Sequence, residues 1–333
     1  MIKLADIAKL AHVSKSAASL ALNDKPGVSE ATRQRVKAIV ADSGYKPLRQ
    51  KSVTKQFDLI AIKSSNIITD DFSQQAFFQK MLGLFANEIN HFQARLNIMT
   101  LTVEEFKSGK FPLSGEGAIL IGTDLSAQTI NLVEHVQPNL VIIDTSLPTE
   151  NKNFVTMDSF QGSYQAAKYL ANQGFQRFGY ISSKIRIHNF DERRRGFEAG
   201  LAATGHMLDL DNVCSFSPIV PHPKSEEING LIHRRNLPDV FFCEDDYMAI
   251  ELLKICQKHR ISVPRDVAIM GFDDINEDQL VYPEISSVHV PIREMVLQTL
   301  TTLTKLVSGE LTANVKIHVQ TRIIERQSTS VNK

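Results

Sequence analysis

Apolar and polar residues follow two different periods along this chain. In the first 43 residues, Leu4, Ile7, Ala8, Leu10 and Ala11 share one stripe, and Val36, Ile39 and Val40 share another. Spacings of three and four mark helices that bury one face. His12, Val13 and Ser14 interrupt the first stripe, and Ser14 is placed to cap a second helix from Lys15 to about Leu22. A third helix is expected from its cap Ser29 to about Ser43, ended by Gly44 with Tyr45 and Pro47 beyond. Two helices joined by a short turn and backed by a third form a helix-turn-helix.

From Phe57 the period changes. The short apolar runs FDLIAIK, RLNIMTL, GAILIG and LVIID, followed by RFGYIS, DVFFCE and DVAIMGF, predict buried strands. Amphipathic spans at 74–90, 189–204, 224–235 and 245–259 separate them. This is the alternation of a doubly wound parallel α/β fold, with enough chain for two lobes. After Gly271 come SSVHVP, a helix over Ile292–Val307 and KIHVQTRIIERQST, so the chain is expected to cross between lobes more than once.

The second helix consists almost wholly of small side chains, VSKSAASLALND from Val13 to Asp24. A helix lying in a DNA major groove about 12 Å wide has little room for bulk. Ala17, Ala18 and Ala21 permit close approach, while Ser14, Ser16 and Ser19 can donate to phosphates or base edges. An alanine-rich core helix is the bland alternative, and it leaves three serines and a lysine without a reason. Charge supports the DNA reading. The chain of 333 residues is neutral, but residues 1–56 hold eight Lys and three Arg against four acids, a net +7, so residues 57–333 carry −7. A charged segment is often only a solvated face; a basic head on an acidic body is also how a polyanion-binding module looks.

Composition narrows the class. An apolar fraction of 43% and a charged fraction of 22% are those of a globular protein, and no apolar run approaches the ~20 residues that span a bilayer. No secretory signal is visible, so a cytoplasmic location is expected. Cys214, Cys243 and Cys256 are odd in number and widely spaced, which fits buried thiols better than disulfides or a metal site. Motifs for a nucleophile elbow, a phosphate-gripping loop or a zinc-binding helix are missing, and no catalytic residue, metal or cofactor is expected.

Ligands in open α/β sheets bind beyond the carboxyl ends of strands. There Arg193 opens the motif R-x-x-G-F, Asp245 follows DVFFCE, and Asp273 follows DVAIMGF. One cation and two carboxylates on one edge suit a ligand with vicinal hydroxyls. Taken singly, Asp245 is equally a helix cap, Asp273 a turn residue, and Arg193 one of a solvated triplet with Arg194 and Arg195. In the other lobe Asp124 and Asp144 follow strands, and Phe72 and Phe77 are candidates either to stack on a sugar face or to pack in the core.

Asp6 to Asn23, D-I-A-K-L-A-H-V-S-K-S-A-A-S-L-A-L-N, resembles the DNA-binding head of the LacI/GalR family of bacterial transcription regulators, D-V-A-x-x-A-G-V-S-x-x-T-V-S-R-x-L-N. The resemblance implies that Lys15, Ser16 and Leu20 read bases and that Ser14, Ser19 and Asn23 make phosphate or positioning contacts. His12 replaces the turn glycine, a substitution His tolerates at positive φ. Leu20 stands where the family has Arg, so apolar contact with a thymine methyl replaces a guanine-pairing fork. The family's hinge, N-x-x-A-R-x-L, is replaced by L-R-Q-K-S-V-T. Arg49, Lys51 and Lys55 there are expected to neutralise phosphates and Val53 to be a weaker wedge, which points to a less bent operator.

Further landmarks of the family's effector domain are V-P-x-D-V from Val263, G-F-D-D from Gly271 and R-x-S-T from Arg326, with Asp245 where the family often has Asn. The resemblance therefore implies an all-α helix-turn-helix head on a two-lobed, periplasmic-binding-protein-like α/β core of doubly wound parallel sheets. Its expected parts are a head at 1–46, a hinge at 47–57 and an effector and dimerisation core at 58–333. Within the core, one lobe takes about 58–157 and 289–315, and the other about 158–288 and 316–333. The function implied is that of a homodimeric repressor, not an enzyme, binding a pseudo-palindromic double-stranded DNA operator. A small-molecule effector between the lobes, a sugar or sugar phosphate, would control it through Phe72, Asp124, Arg193, Asp245 and Asp273. A regulator answering to a purine or a phosphoprotein, or a sugar-binding protein, is the alternative. The chain runs only four residues past Arg326-Gln-Ser-Thr, which leaves no tetramerising coiled coil and favours the dimer.

Overall fold

The computed structural model describes residues 3–22, 25–43, 55–64, 67–216, 230 and 237–330. It divides into two compact units, Met1–Thr54 and Lys55–Lys333. The helix expected at 224–235 lies outside the described residues, apart from residue 230.

The head contains α1 (Leu4–Leu10), α2 (Lys15–Leu22) and α3 (Glu30–Ser43). Ile7, Ala11, Ala21 and Val36 are fully buried at their junction, with Val13, Leu22, Val28, Ile39 and Val40 packed around them. His12 carries the α1–α2 turn at φ 54°, the left-handed conformation expected where it replaces glycine. Ser14 Oγ then accepts the Ala17 N–H at 3.1 Å and starts α2.

The body begins with β1 (Lys55–Ile62), α4 (Ala76–Glu88), β2 (Ala94–Leu101), α5 (Val103–Lys107), β3 (Gly117–Ile121), α6 (Ala127–Val136), β4 (Leu140–Ile143) and β5 (Asn153–Met157). The chain then builds a second lobe from α7 (Ser159–Asn172), β6 (Phe178–Ser183), α8 (His188–Ala202), β7 (Val213–Phe216), β8 (Val240–Cys243), α9 (Asp246–Lys258), β9 (Ala268–Asp273) and β10 (Ser286–His289). It returns through α10 (Ile292–Val307) and β11 (Lys316–Val319), and crosses again to β12 (Arg322–Ile324). The first sheet is all parallel in the order β11-β5-β4-β3-β1-β2. The second, β12-β10-β9-β8-β6-β7, is parallel except for β12.

Two expected boundaries move. Lys316–Val319 pair with Phe154–Met157, so this stretch belongs to the first lobe and the last crossing follows Val319 instead of residue 315. An otherwise open edge of β5 is satisfied by that strand. The hinge expected to reach residue 57 must end earlier, because Lys55 already pairs with Ala94 in the first sheet. Lys55 is thus a strand residue, half-buried, and no longer part of a linker.

The glycine of R-x-x-G-F has a packing role. A Cβ on Gly196 would lie 2.2 Å from the Phe160 carbonyl oxygen, and one on Gly200 2.5 Å from that of Tyr164. Only glycine lets α8 press this closely on α7. Phe197 stacks on Phe242 with centroids 4.6 Å apart, which fixes the rotation of α8 and leaves Arg193, one turn earlier, at the strand ends.

Candidate functional site

On the head, Ser14, Lys15 and Ser16 are exposed, Ala17, Ser19 and Leu20 are half-buried, and Ala18 and Ala21 face the core. Apart from Lys15, the exposed residues of this face are therefore short-chained, as a helix seated in a groove requires. Ser14 spends its oxygen on the helix start. Leu20 Cδ1 lies 3.3 Å from the point a Cβ on Gly27 would occupy, so this side chain also packs beneath the turn before α3. Asn23, Arg49, Lys51 and Val53 lie outside the described residues.

In the body a cleft opens between the lobes at the carboxyl ends of both sheets. Phe77 and Phe78 of α4, Thr123 after β3 and Asp144 after β4 line its first-lobe wall. Asn189, Phe190 and Arg193 of α8, Asp245, Asp246 and Tyr247 after β8, and Asp273 at the end of β9 line the other. Its mixture of aromatic and convergent polar side chains is that of a small-ligand site.

Arg193 is 4% exposed, and both its terminal nitrogens are engaged. One terminal nitrogen donates to Asp273 Oδ1 at 3.0 Å and the other to the Glu244 carbonyl. The guanidinium lies 3.8 Å from the Phe272 ring centroid and 5.4 Å from that of Phe190. Cation–π contact and a charge-assisted hydrogen bond thus offset the cost of burying the charge. Asp273 holds φ at 118°, a conformation a non-glycine residue rarely adopts, and burial pushes its carboxyl well above the usual range despite Arg193.

Asp245 serves two purposes. Its Oδ1 accepts the Met248 N–H at 2.7 Å and caps α9, while the same carboxyl lines the cleft. Burial pushes it up to about 7, against the pull of that N–H and of Arg193. Asp144, also at positive φ, is pushed up to about 7 by burial, although Thr123 donates to its Oδ2 at 2.5 Å. Its Oδ1 is buried with no hydrogen-bond partner.

Asp246 supports the site from behind. Its Oδ1 accepts from Ser287 Oγ at 2.7 Å and its Oδ2 from the Ile275 N–H at 3.1 Å, which ties the start of α9 to the loop after β9. Gly271 makes room for it, since a Cβ there would lie 2.0 Å from Asp246 Oδ1. Burial and the facing carboxylate of Asp246 raise the fully buried Asp278, so this pair retains a proton. The lobes meet through two further bonds: Asn189 Nδ2 donates to the Asp144 carbonyl at 2.9 Å, and the Ala76 N–H to the Tyr247 hydroxyl at 2.9 Å.

The structure brings together Arg193, Asp245 and Asp273, joined by Asp144 and by Phe77. Phe72 and Asp124 stay outside. Phe72 is 3% exposed in the first-lobe core, edge-on to Phe78 at 5.4 Å. Asp124 accepts the Ile67 N–H at 2.8 Å, the Ile68 N–H at 3.3 Å and the Ser64 hydroxyl, and so folds the loop behind the cleft wall. Thr123, Asn189, Phe190 and Tyr247 were not anticipated. Asn189 had a signal: it precedes Arg193 by four residues and shares its helix face.

Residues 3–47 match the family model described as "Bacterial regulatory proteins, lacI family", and residues 167–329 the "Periplasmic binding protein-like domain". The HTH-type transcriptional regulator GalR of Salmonella typhimurium is 25% identical over 322 residues, covering 90% of this chain and 87% of that protein. The regulator CelR of Thermobifida fusca is 26% identical over 330 residues, with 97% and 96% covered. Among solved structures, a complex of the transcriptional regulator CelR with cellobiose superposes with a TM-score of 0.72 at 22% identity, covering 98% of this chain and all of that one. A lac repressor dimer bound to operator and the anti-inducer ONPF superposes with a TM-score of 0.72 at 17% identity, covering 99% of each. Residues 3–47 thus match a lacI-type DNA-binding head and residues 167–329 a periplasmic-binding-protein-like domain, and nearly the whole chain is similar to bacterial HTH-type transcriptional regulators.

Proposed function

We propose that this protein is a cytoplasmic, homodimeric repressor whose hold on a pseudo-palindromic operator is set by a small carbohydrate bound between the lobes. The head supplies Lys15, Ser16, Ser19 and Leu20 to the major groove, with Asn23, Arg49, Lys51 and Val53 as further DNA contacts. The observation that carries the effector reading is Arg193, buried and fixed between Asp273 and the Glu244 carbonyl, opposite an unpartnered Asp144 oxygen on the other lobe. Acceptors aimed from both lobes into one cleft suit a ligand rich in hydroxyl donors, and a ligand touching both lobes biases their relation. A phosphorylated sugar is disfavoured, because among the described residues the one guanidinium lining the cleft is already paired and the other charges there are carboxylates. The protein turns over no substrate in this reading.

The test is selection from a random palindromic DNA library by the intact protein, repeated across a panel of sugars and sugar phosphates. Enrichment of one palindrome, weakened or strengthened by a single sugar, is the expected result. Sequence-indifferent binding that no ligand alters would overturn the reading.

A further inference from the structure

Among the described residues, four carboxyl groups reach the cleft wall and one guanidinium accompanies them. Asp246 is turned back, with both oxygens engaged by Ser287 and Ile275. Asp273 has its cation in Arg193. The Glu244 carbonyl and the faces of Phe272 and Phe190 hold Arg193 in place, and its charge reaches Asp144 and Asp245 only at longer range, without a direct ion pair to either. Asp144 and Asp245 remain, from opposite lobes, 2% and 8% exposed, and neither forms an ion pair with a cation among the described residues. Asp144 Oδ1 has no hydrogen-bond partner, while Asp245 has only one oxygen committed to the helix cap.

We propose that the ligand of this cleft carries a protonated amino group seated between Asp144 and Asp245, a hydroxylated amine of the amino-sugar class. The inference rests on the effector reading above and adds the charge of the ligand to it. A hydroxyl donates a single hydrogen and leaves the excess negative charge in place as the cleft closes over it. An ammonium donates three and supplies the missing charge, and a buried carboxylate costs several kcal/mol unless it is paired. Because the two carboxylates stand on different lobes, the ammonium would tie the lobes to each other as well as neutralise them.

The experiment is calorimetric titration of the intact protein at pH 7 with matched pairs: glucosamine and glucose, galactosamine and galactose, and the glucosamine disaccharide and cellobiose. At least one amino member should bind tenfold or more tightly than its uncharged parent. Asp245→Asn, which retains a cap acceptor for Met248, should abolish that preference, and Asp144→Asn should reduce it. An uncharged parent that binds as tightly as its amine, or a preference unchanged in Asp245→Asn, overturns the inference and leaves the effector site intact. Absence of binding by every amino member also overturns it. If the uncharged parents then bind, the effector reading stands; if nothing binds, both fall together.

Discussion

The head and the cleft solve opposite problems with opposite materials. Among its described residues the head has five fully buried hydrophobic side chains, Ile7, Ala11, Ala18, Ala21 and Val36, and leaves the outer face of α2 polar, so its ligand must come to the surface. The cleft buries its charges instead, locking Arg193, Asp273 and Asp246 through partners in several elements, and draws a small ligand inward. A thin core suffices where the partner is a long, highly charged polymer, whereas a small ligand requires polar groups already fixed in place. Mutations should therefore separate the two functions cleanly.

The largest separation is expected from Ile7→Ala. Removing a fully buried side chain from so small a core costs about 2–5 kcal/mol, a large share of what a head of this size holds. Operator binding should be lost in a gel-shift assay, while calorimetry shows ligand binding to the body unchanged. The converse is Gly196→Val, whose side chain would collide with the Phe160 carbonyl and force α8 from α7. Thermal unfolding of the body should drop by ten degrees or more, and ligand binding should disappear with it.

A subtler split concerns charge. Asp144 and Asp245 have an ordinary pKa of 3.8 and are raised to about 7 in the folded body. Each thus stabilises the fold fully below pH 3.8, and the contribution is lost as pH rises to about 7. Asp144→Asn or Asp245→Asn should raise the unfolding temperature at pH 8, by up to about 4 kcal/mol in stability, and change it little at pH 4. Unfolding curves at both pH values check the sign. The smallest effect is Ser14→Ala, loss of one helix cap worth about 1 kcal/mol, read as a weaker operator affinity with an unaltered ligand isotherm.

Much of this was legible in the sequence, for reasons that differ by element. Gly117–Ile121, Leu140–Ile143 and Val240–Cys243 are buried along their whole length, so their unbroken apolar runs mark them as strands. Asn153–Met157 is just as buried, yet Asn153 and Thr156 interrupt its apolar pattern. Asn153 is there to accept the Val315 N–H at 3.1 Å and seat the return of the chain. Val213–Phe216, at a sheet edge, alternates between half-buried and buried, and Lys316–Val319 between exposed and half-buried, so neither is an unbroken apolar run that announces its sheet.

The site followed the same logic. Strand ends locate Arg193, Asp245 and Asp273 because the topology puts all such ends on one edge. They identify the loop without identifying the side chain that points inward. Asp124 comes three residues after β3 and turns to the loop backbone, while Thr123 beside it faces the cleft. Phe72 likewise lost its place to Phe77 and Phe78, since its own ring fills the core beneath them.

The central claim is that occupancy of the cleft governs the hold on DNA. Fluorescence anisotropy on the selected operator, with and without the selected ligand, tests it most directly in the wild type and in Arg193→Ala. The account predicts a change in operator Kd of tenfold or more in the wild type, none in Arg193→Ala, and the same ligand-free affinity in both. A wild-type affinity that does not move while calorimetry shows the cleft filled would contradict it.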